Sequence, residues 1–111
     1  MKTLYLLRHA KSDWGSPGLD DHDRPLAARG ERAAAVMGVH FAQQQYQPSL
    51  VLCSSALRTR QTLEFLLPHM PGHTPQLVVE ERLYLACSGQ LLARLQEVED
   101  GQSRVLLIGH N

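Results

Sequence analysis

Leu4-Tyr5-Leu6-Leu7-Arg8-His9-Ala10-Lys11-Ser12 decides how the rest of this 111-residue chain is read. Its apolar run shows no alternation, which is the pattern of a strand buried on both faces of a parallel sheet. The run stops at a guanidinium and an imidazole, so the strand delivers Arg8 and His9 into a loop at its C-terminal end. An imidazole can attack phosphorus, and a guanidinium can hold phosphoryl oxygens through paired N–H groups. Alone, the dipeptide fits a structural or surface histidine as well as a catalytic one.

The strand pattern recurs at residues 50–53, 76–79 and 104–108. Helical spacing lies between these runs. Residues 25–45 place Ala33, Val36, Met37, His40 and Phe41 at three- and four-residue steps, although Gly30 and Gly38 weaken the helix. Ser54 or Ser55 is positioned to cap a second helix running to about residue 67, and Ser88 a third running to about residue 99. Residues 12–23 and 69–75, rich in Gly, Pro and polar side chains, read as loops. The resulting order β-α-β-α-β-α-β predicts an α/β fold of three layers, α/β/α, with a mainly parallel central sheet. Right-handed crossovers bring every strand C-terminus to one edge, where such sheets bind ligands.

Composition narrows the chemistry. Lys+Arg and Asp+Glu are both 11, so there is no basic excess to hold nucleic acid. Anion binding must come from a few focused side chains. The apolar N-terminal run is too short for a signal peptide, and no segment approaches the length of a membrane span. Cys53 and Cys87 lack metal-ligand spacing and read as free thiols of a cytoplasmic protein. The oligomeric state is not legible.

Three predicted strand ends carry chemistry. The first holds Arg8 and His9. The second leads into Ser54-Ser55-Ala56-Leu57-Arg58-Thr59-Arg60-Gln61-Thr62, with Arg58 in the first turn of a helix. The fourth ends in Gly109-His110. A phosphate among them meets two guanidiniums and two imidazoles.

These motifs resemble the histidine phosphatase (phosphoglycerate mutase-like) superfamily, nearest to the small SixA-type phosphohistidine phosphatases. Arg8-His9-Ala10 is similar to the family's Arg-His-Gly signature, with Ala10 for glycine. Residues 54–62 resemble its Ser-Pro-x-x-Arg-Ala-x-Gln-Thr segment, with Ser55 and Thr59 as substitutions. Asp23-Arg24-Pro25-Leu26 with Arg29-Gly30, and the late Gly109-His110, complete the set. The resemblance implies a metal-independent phosphatase that uses no cofactor and works through a phosphohistidine intermediate on His9. It implies that Arg8, Arg58 and His110 bind the phosphoryl oxygens and that Ser12 lies near the phosphate. Glu81, in Glu81-Arg82-Leu83-Tyr84, aligns with an acidic proton donor used by many members but less consistently by SixA-type proteins. The substrate implied is phosphohistidine on a protein partner. A small phosphomonoester, or a non-catalytic phosphate-binding module, are the alternatives.

Electrostatics supports the same roles. A nucleophilic imidazole must be neutral, and nearby Arg8 and Arg58 lower its pKa from about 6.5. Against a metal reading, the Asp20-Asp21-His22-Asp23 loop has no matching ligand cluster and reads as solvated. Trp14 either lines the pocket entrance or covers its loop. Family members continue past the second histidine with a helix and usually a strand. Residues 1–111 are therefore expected to form a single domain lacking those C-terminal elements, with one apolar sheet face partly uncovered.

Overall fold

A computed structural model describes residues 2–70, 72 and 74–110. Pro71 and His73 of the expected 69–75 loop, and the terminal Asn111, lie outside the described residues. The chain forms strands β1 (Thr3–Arg8), β2 (Leu50–Ser54), β3 (Gln76–Glu80) and β4 (Arg104–Gly109). Between them run helices α1 (Ala28–Gln43), α2 (Leu57–Leu66) and α3 (Ser88–Gln96). The sheet order is β1-β4-β2-β3 and every pairing is parallel.

The layers follow from side-chain alternation along the strands. Val51, Cys53, Leu106 and Ile108 point to one face and pack with Phe41 of α1 and Leu63 and Leu66 of α2. Leu50, Leu52, Val105 and Leu107 point to the other and pack with Leu83, Val98 and the α3 residues Leu91 and Leu95. This is the three-layer α/β/α arrangement with a parallel sheet that the element order predicts. Central strands β2 and β4 are buried almost throughout, as their unbroken apolar runs require.

β1 departs from its sequence reading. It pairs with β4 at the sheet edge, and Leu4 and Leu6 are 42% and 68% exposed on the face that α3 covers thinly. Helix α3 itself contains no buried residue.

The helices also differ in detail. α1 starts at Ala28 rather than near residue 25, because residues 25–27 pair with residues 11–13. Asp13 N donates to Pro25 O (2.8 Å) and Ala27 N to Lys11 O (2.9 Å). Its buried stripe is Gly30, Ala34, Gly38 and Phe41, so the glycines lie on the packing face while Val36 is exposed. A Cβ at position 30 would sit 2.1 Å from Lys11 O, and one at position 38 would sit 2.4 Å from Leu66 O. Both positions need glycine for close approach. The caps expected at Ser54 or Ser55 and at Ser88 are instead Ala56 and Cys87. The hydroxyls of Ser54 and Ser55 are engaged by histidines, and Gln90 Oε1 accepts the Cys87 N–H (2.8 Å).

Candidate active site

Parallel register places the strand ends side by side: Arg8 lies opposite Gly109, and Cys53 opposite Ile108. The residues just beyond them surround a cavity of about 440 Å³ lined by Arg8, His9, Ser12, Arg58 and His110, together with Trp14, Arg24 and Leu85.

His9 is fixed from two sides. Its backbone N–H donates to Gly109 O (3.1 Å), and its ring Nδ1 lies 2.7 Å from Ala10 O. A carbonyl only accepts, so Nδ1 carries the hydrogen and Nε2 keeps its lone pair in the neutral ring. The following amide, Ala10 N–H, donates to Thr62 Oγ1 (3.0 Å), whose own hydrogen goes to Arg58 O (2.7 Å). Among the described residues the non-glycine positions with positive φ are Gln45 and Leu85, so Ala10 sits where glycine has no conformational advantage.

His110 faces His9 with ring centroids 5.4 Å apart. Its Nδ1 is 3.4 Å from Arg58 Nη2, which can only donate. Nε2 therefore carries the hydrogen and donates to Ser54 Oγ (2.8 Å). Burial, then the Arg58 charge, pushes the His110 pKa down to about 4. His9 is also lowered from 6.5, first by burial and then by Arg58, Arg8 and Arg24, against the opposing pull of the Ala10 carbonyl. Both rings are neutral at pH 7. Sequence reasoning gave the arginines as the cause, whereas burial is the larger one.

Arg58 is buried in the first turn of α2. Its Nη1 donates to Asp21 O (2.7 Å) and its Nη2 to Asp21 Oδ2 (3.0 Å). Its Nε–H is buried with no hydrogen-bond partner among the described residues. Asp21 also accepts from Tyr84 Oη (2.5 Å) and from Arg24 Nε (3.1 Å). The Tyr84 hydroxyl above all, with the two guanidiniums, holds its carboxyl down at about 2. The acidic loop is therefore not merely solvated: Asp21 anchors two arginines and a tyrosine. Among the described residues, no three His, Cys, Asp or Glu side chains group as metal ligands do.

Arg24 is a member of the site that sequence reasoning passed over. Its buried guanidinium donates from Nη1 to Ser12 Oγ (3.0 Å) and Asp13 O (3.2 Å) and stacks 3.3 Å from the centroid of Trp14. Asp21, Tyr84, Ser54 and Thr62 were likewise missed as participants. The available signal was the Asp-x-x-Arg spacing of Asp21 and Arg24, which one short helical turn (Asp21–Asp23) brings together. Glu81 is placed otherwise than expected. It opens the 3₁₀ turn Glu81–Leu83, is exposed and does not line the cavity. Leu83 is buried in the core, and at three residues per turn that directs positions 81 and 82 outward.

The sequence profile of the histidine phosphatase superfamily (branch 1) matches residues 4–104. An uncharacterized protein of Mycobacterium tuberculosis is 38% identical over 104 residues, covering 94% of this chain and 62% of the relative. The chain thus spans less than two thirds of that relative's length. A SixA protein from Agrobacterium tumefaciens superposes with a TM-score of 0.88 at 37% identity, covering 97% of this chain and 68% of that one. A protein histidine phosphatase SixA complexed with tungstate superposes with a TM-score of 0.84 at 27% identity, covering 96% and 68%.

Proposed function

The chain belongs to the histidine phosphatase superfamily, and on that premise we propose that it is a phosphatase that transfers the phosphoryl group of a protein-borne phosphohistidine to His9 and then to water. The observation that carries this reading is the tautomer of His9. With Nδ1 bonded to the Ala10 carbonyl, the unprotonated Nε2 remains as nucleophile in a cavity walled by guanidiniums.

His9 Nε2 attacks phosphorus and the P–N bond to the substrate imidazole breaks. The electron pair returns to that nitrogen, and the imidazole, already carrying a proton on its other ring nitrogen, leaves neutral. Water then attacks the phosphorus on His9, the new P–N bond breaks, and inorganic phosphate leaves with the lone pair back on Nε2. Arg8 and Arg58, which line the cavity, hold the phosphoryl oxygens. Ser12 and His110 complete the oxygen-binding wall, and a dianion beside His110 favours its protonated form. The scheme uses neither metal nor cofactor.

The carboxylates favour this substrate over a phosphomonoester. An alkoxide needs a proton as it leaves, which calls for an acid with a pKa near the working pH. Asp21, at about 2, is ionised, and Glu81 stands off the cavity, so we give neither that step. An imidazole leaves without such help, because its own pKa is about 6.5. Related support comes from the tungstate bound by one SixA protein, a tetrahedral oxyanion like phosphate. We further place residues 1–111 in one catalytic domain of a cytoplasmic protein, in keeping with the free thiols of Cys53 and Cys87.

The test is incubation with a phosphohistidine protein, with acid-labile label read on His9 and phosphate read in solution. Labelling lost in His9→Ala is expected. Vanadate binding without label or release would return the chain to a non-catalytic phosphate-binding module. Release from small phosphomonoesters alone would move the substrate class.

A further inference from the structure

Two large apolar side chains stand in water at the mouth of the phosphoryl cavity. Trp14 is 71% exposed and Leu85 58%, yet both line the same cavity as Arg8, Arg58 and His110. Neither position is dictated by the core. Trp14 rests on Arg24, whose guanidinium is itself immobilised by Ser12, Asp13 and Asp21. One face of the indole thus lies on a fixed plate and the ring is displayed to solvent. Leu85 has φ +52°, a left-handed backbone that is costly for a residue with a side chain. It directly follows Tyr84, whose hydroxyl bonds the same Asp21 carboxylate that holds Arg24. Both rim residues are therefore supported from one carboxylate. Strain and exposed apolar surface that the core does not demand are features that concentrate at binding sites.

The floor and the rim see different parts of a substrate. Guanidiniums take any phosphoryl group, whatever it is attached to. The rim meets the attached group.

We propose that Trp14 and Leu85 form an apolar rim that selects phosphoryl compounds carrying a flat ring, which stacks on the open face of the Trp14 indole. This deepens the proposed function and rests on it for the natural ligand: the imidazole of phosphohistidine is such a ring, and a serine hydroxyl or lysine amine is not.

The test needs no turnover. Trp14 is the sole tryptophan of the chain, so its fluorescence reports contact at the rim. Wild-type protein is titrated with phenylphosphonate and with methylphosphonate, and affinities are repeated by calorimetry for Trp14→Ala, Trp14→Phe and Leu85→Ala. Phenylphosphonate should bind about tenfold more tightly and quench the indole, in line with ring stacking elsewhere. Trp14→Phe should keep most of that preference, Leu85→Ala should reduce it, and Trp14→Ala should abolish it. Equal affinities in the wild type, an unchanged ratio in Trp14→Ala, or binding of neither phosphonate overturns the proposal. His9 labelling is read separately, so failure of the phosphatase reading and failure of the rim are distinguishable.

Discussion

Thr62→Val removes one hydroxyl and keeps the shape of the side chain, in a residue that is 2% exposed. That hydroxyl is the acceptor for the Ala10 amide at 3.0 Å and ties α2 to the residue after His9. Its other bond, to Arg58 O, duplicates a helix carbonyl that already accepts from the backbone, so losing it costs little. The net change is one partly buried N–H left without its partner, a cost of about 1–3 kcal/mol. For a domain of this size that is a fall in Tm of about 4–12 °C. Freed from Thr62, the His9–Ala10 turn can drift, and a misplacement of about 1 Å at a nucleophile costs on the order of 10²-fold in rate. The assay is stopped-flow labelling of His9 from a phosphohistidine donor, alongside calorimetric Tm, with Thr62→Ser as the variant that restores the hydroxyl. Labelling and Tm both as in wild type for Thr62→Val would refute the idea that this bond positions the nucleophile. So would a loss that Thr62→Ser fails to restore.

Asp21→Asn frees Arg58 and Arg24 from their shared anchor, and the rate of His9 labelling should fall by about 10–100-fold. The same variant tests linkage. A carboxyl held at about 2 against 3.8 unperturbed contributes stability that is present above 3.8 and lost as pH falls toward about 2. Acid unfolding curves of Asp21→Asn should lack that decline. With His9 as the proposed nucleophile, the acid limb of kcat/KM should lie below pH 6.5, because the ring must lose its proton to attack and its pKa is lowered; a limb above 6.5 contradicts its environment. Gly30→Ala drives a methyl into the Lys11 carbonyl and should cost about 1–3 kcal/mol by thermal unfolding while weakening vanadate binding beside Ser12. Glu81→Gln should label His9 at the wild-type rate, and a tenfold loss would restore the carboxylate to the reaction.

Strand positions were legible because each strand is a short apolar run ended by a polar residue or turn, and all four were found within a residue of their bounds. Strand ends then located Arg8, His9, Arg58 and His110, since parallel pairing must collect them at one edge. What the sequence hid was lateral. The α1 stripe is built on Gly30 and Gly38, which carry no hydrophobic signal because their role is to admit a neighbouring backbone. Ser54 and Ser55 looked like helix caps because a hydroxyl before a helix usually is one, and only the fold shows His110 and His22 taking them. Asp21 reads as one solvated acid among three until Arg58, Arg24 and Tyr84 converge on it from distant parts of the chain.

The pairing of the first strand with the fourth also bears on how the molecule folds. β1 has β4 as its neighbour, with Thr3 opposite Arg104, so the strand that ends at Arg8 finds its partner only after α1, β2, α2, β3 and α3 have been made. Closing so long a loop is entropically costly, and parallel sheets dominated by such distant contacts fold slowly. During synthesis β1 emerges well before β4 and waits with its backbone unpaired, exposed to misassociation and to chaperones. His9 takes its place beside Gly109 in the same event. Assembly of the cavity around His9 is therefore a late product of folding, and refolding kinetics followed by vanadate binding should lag those followed by helix content.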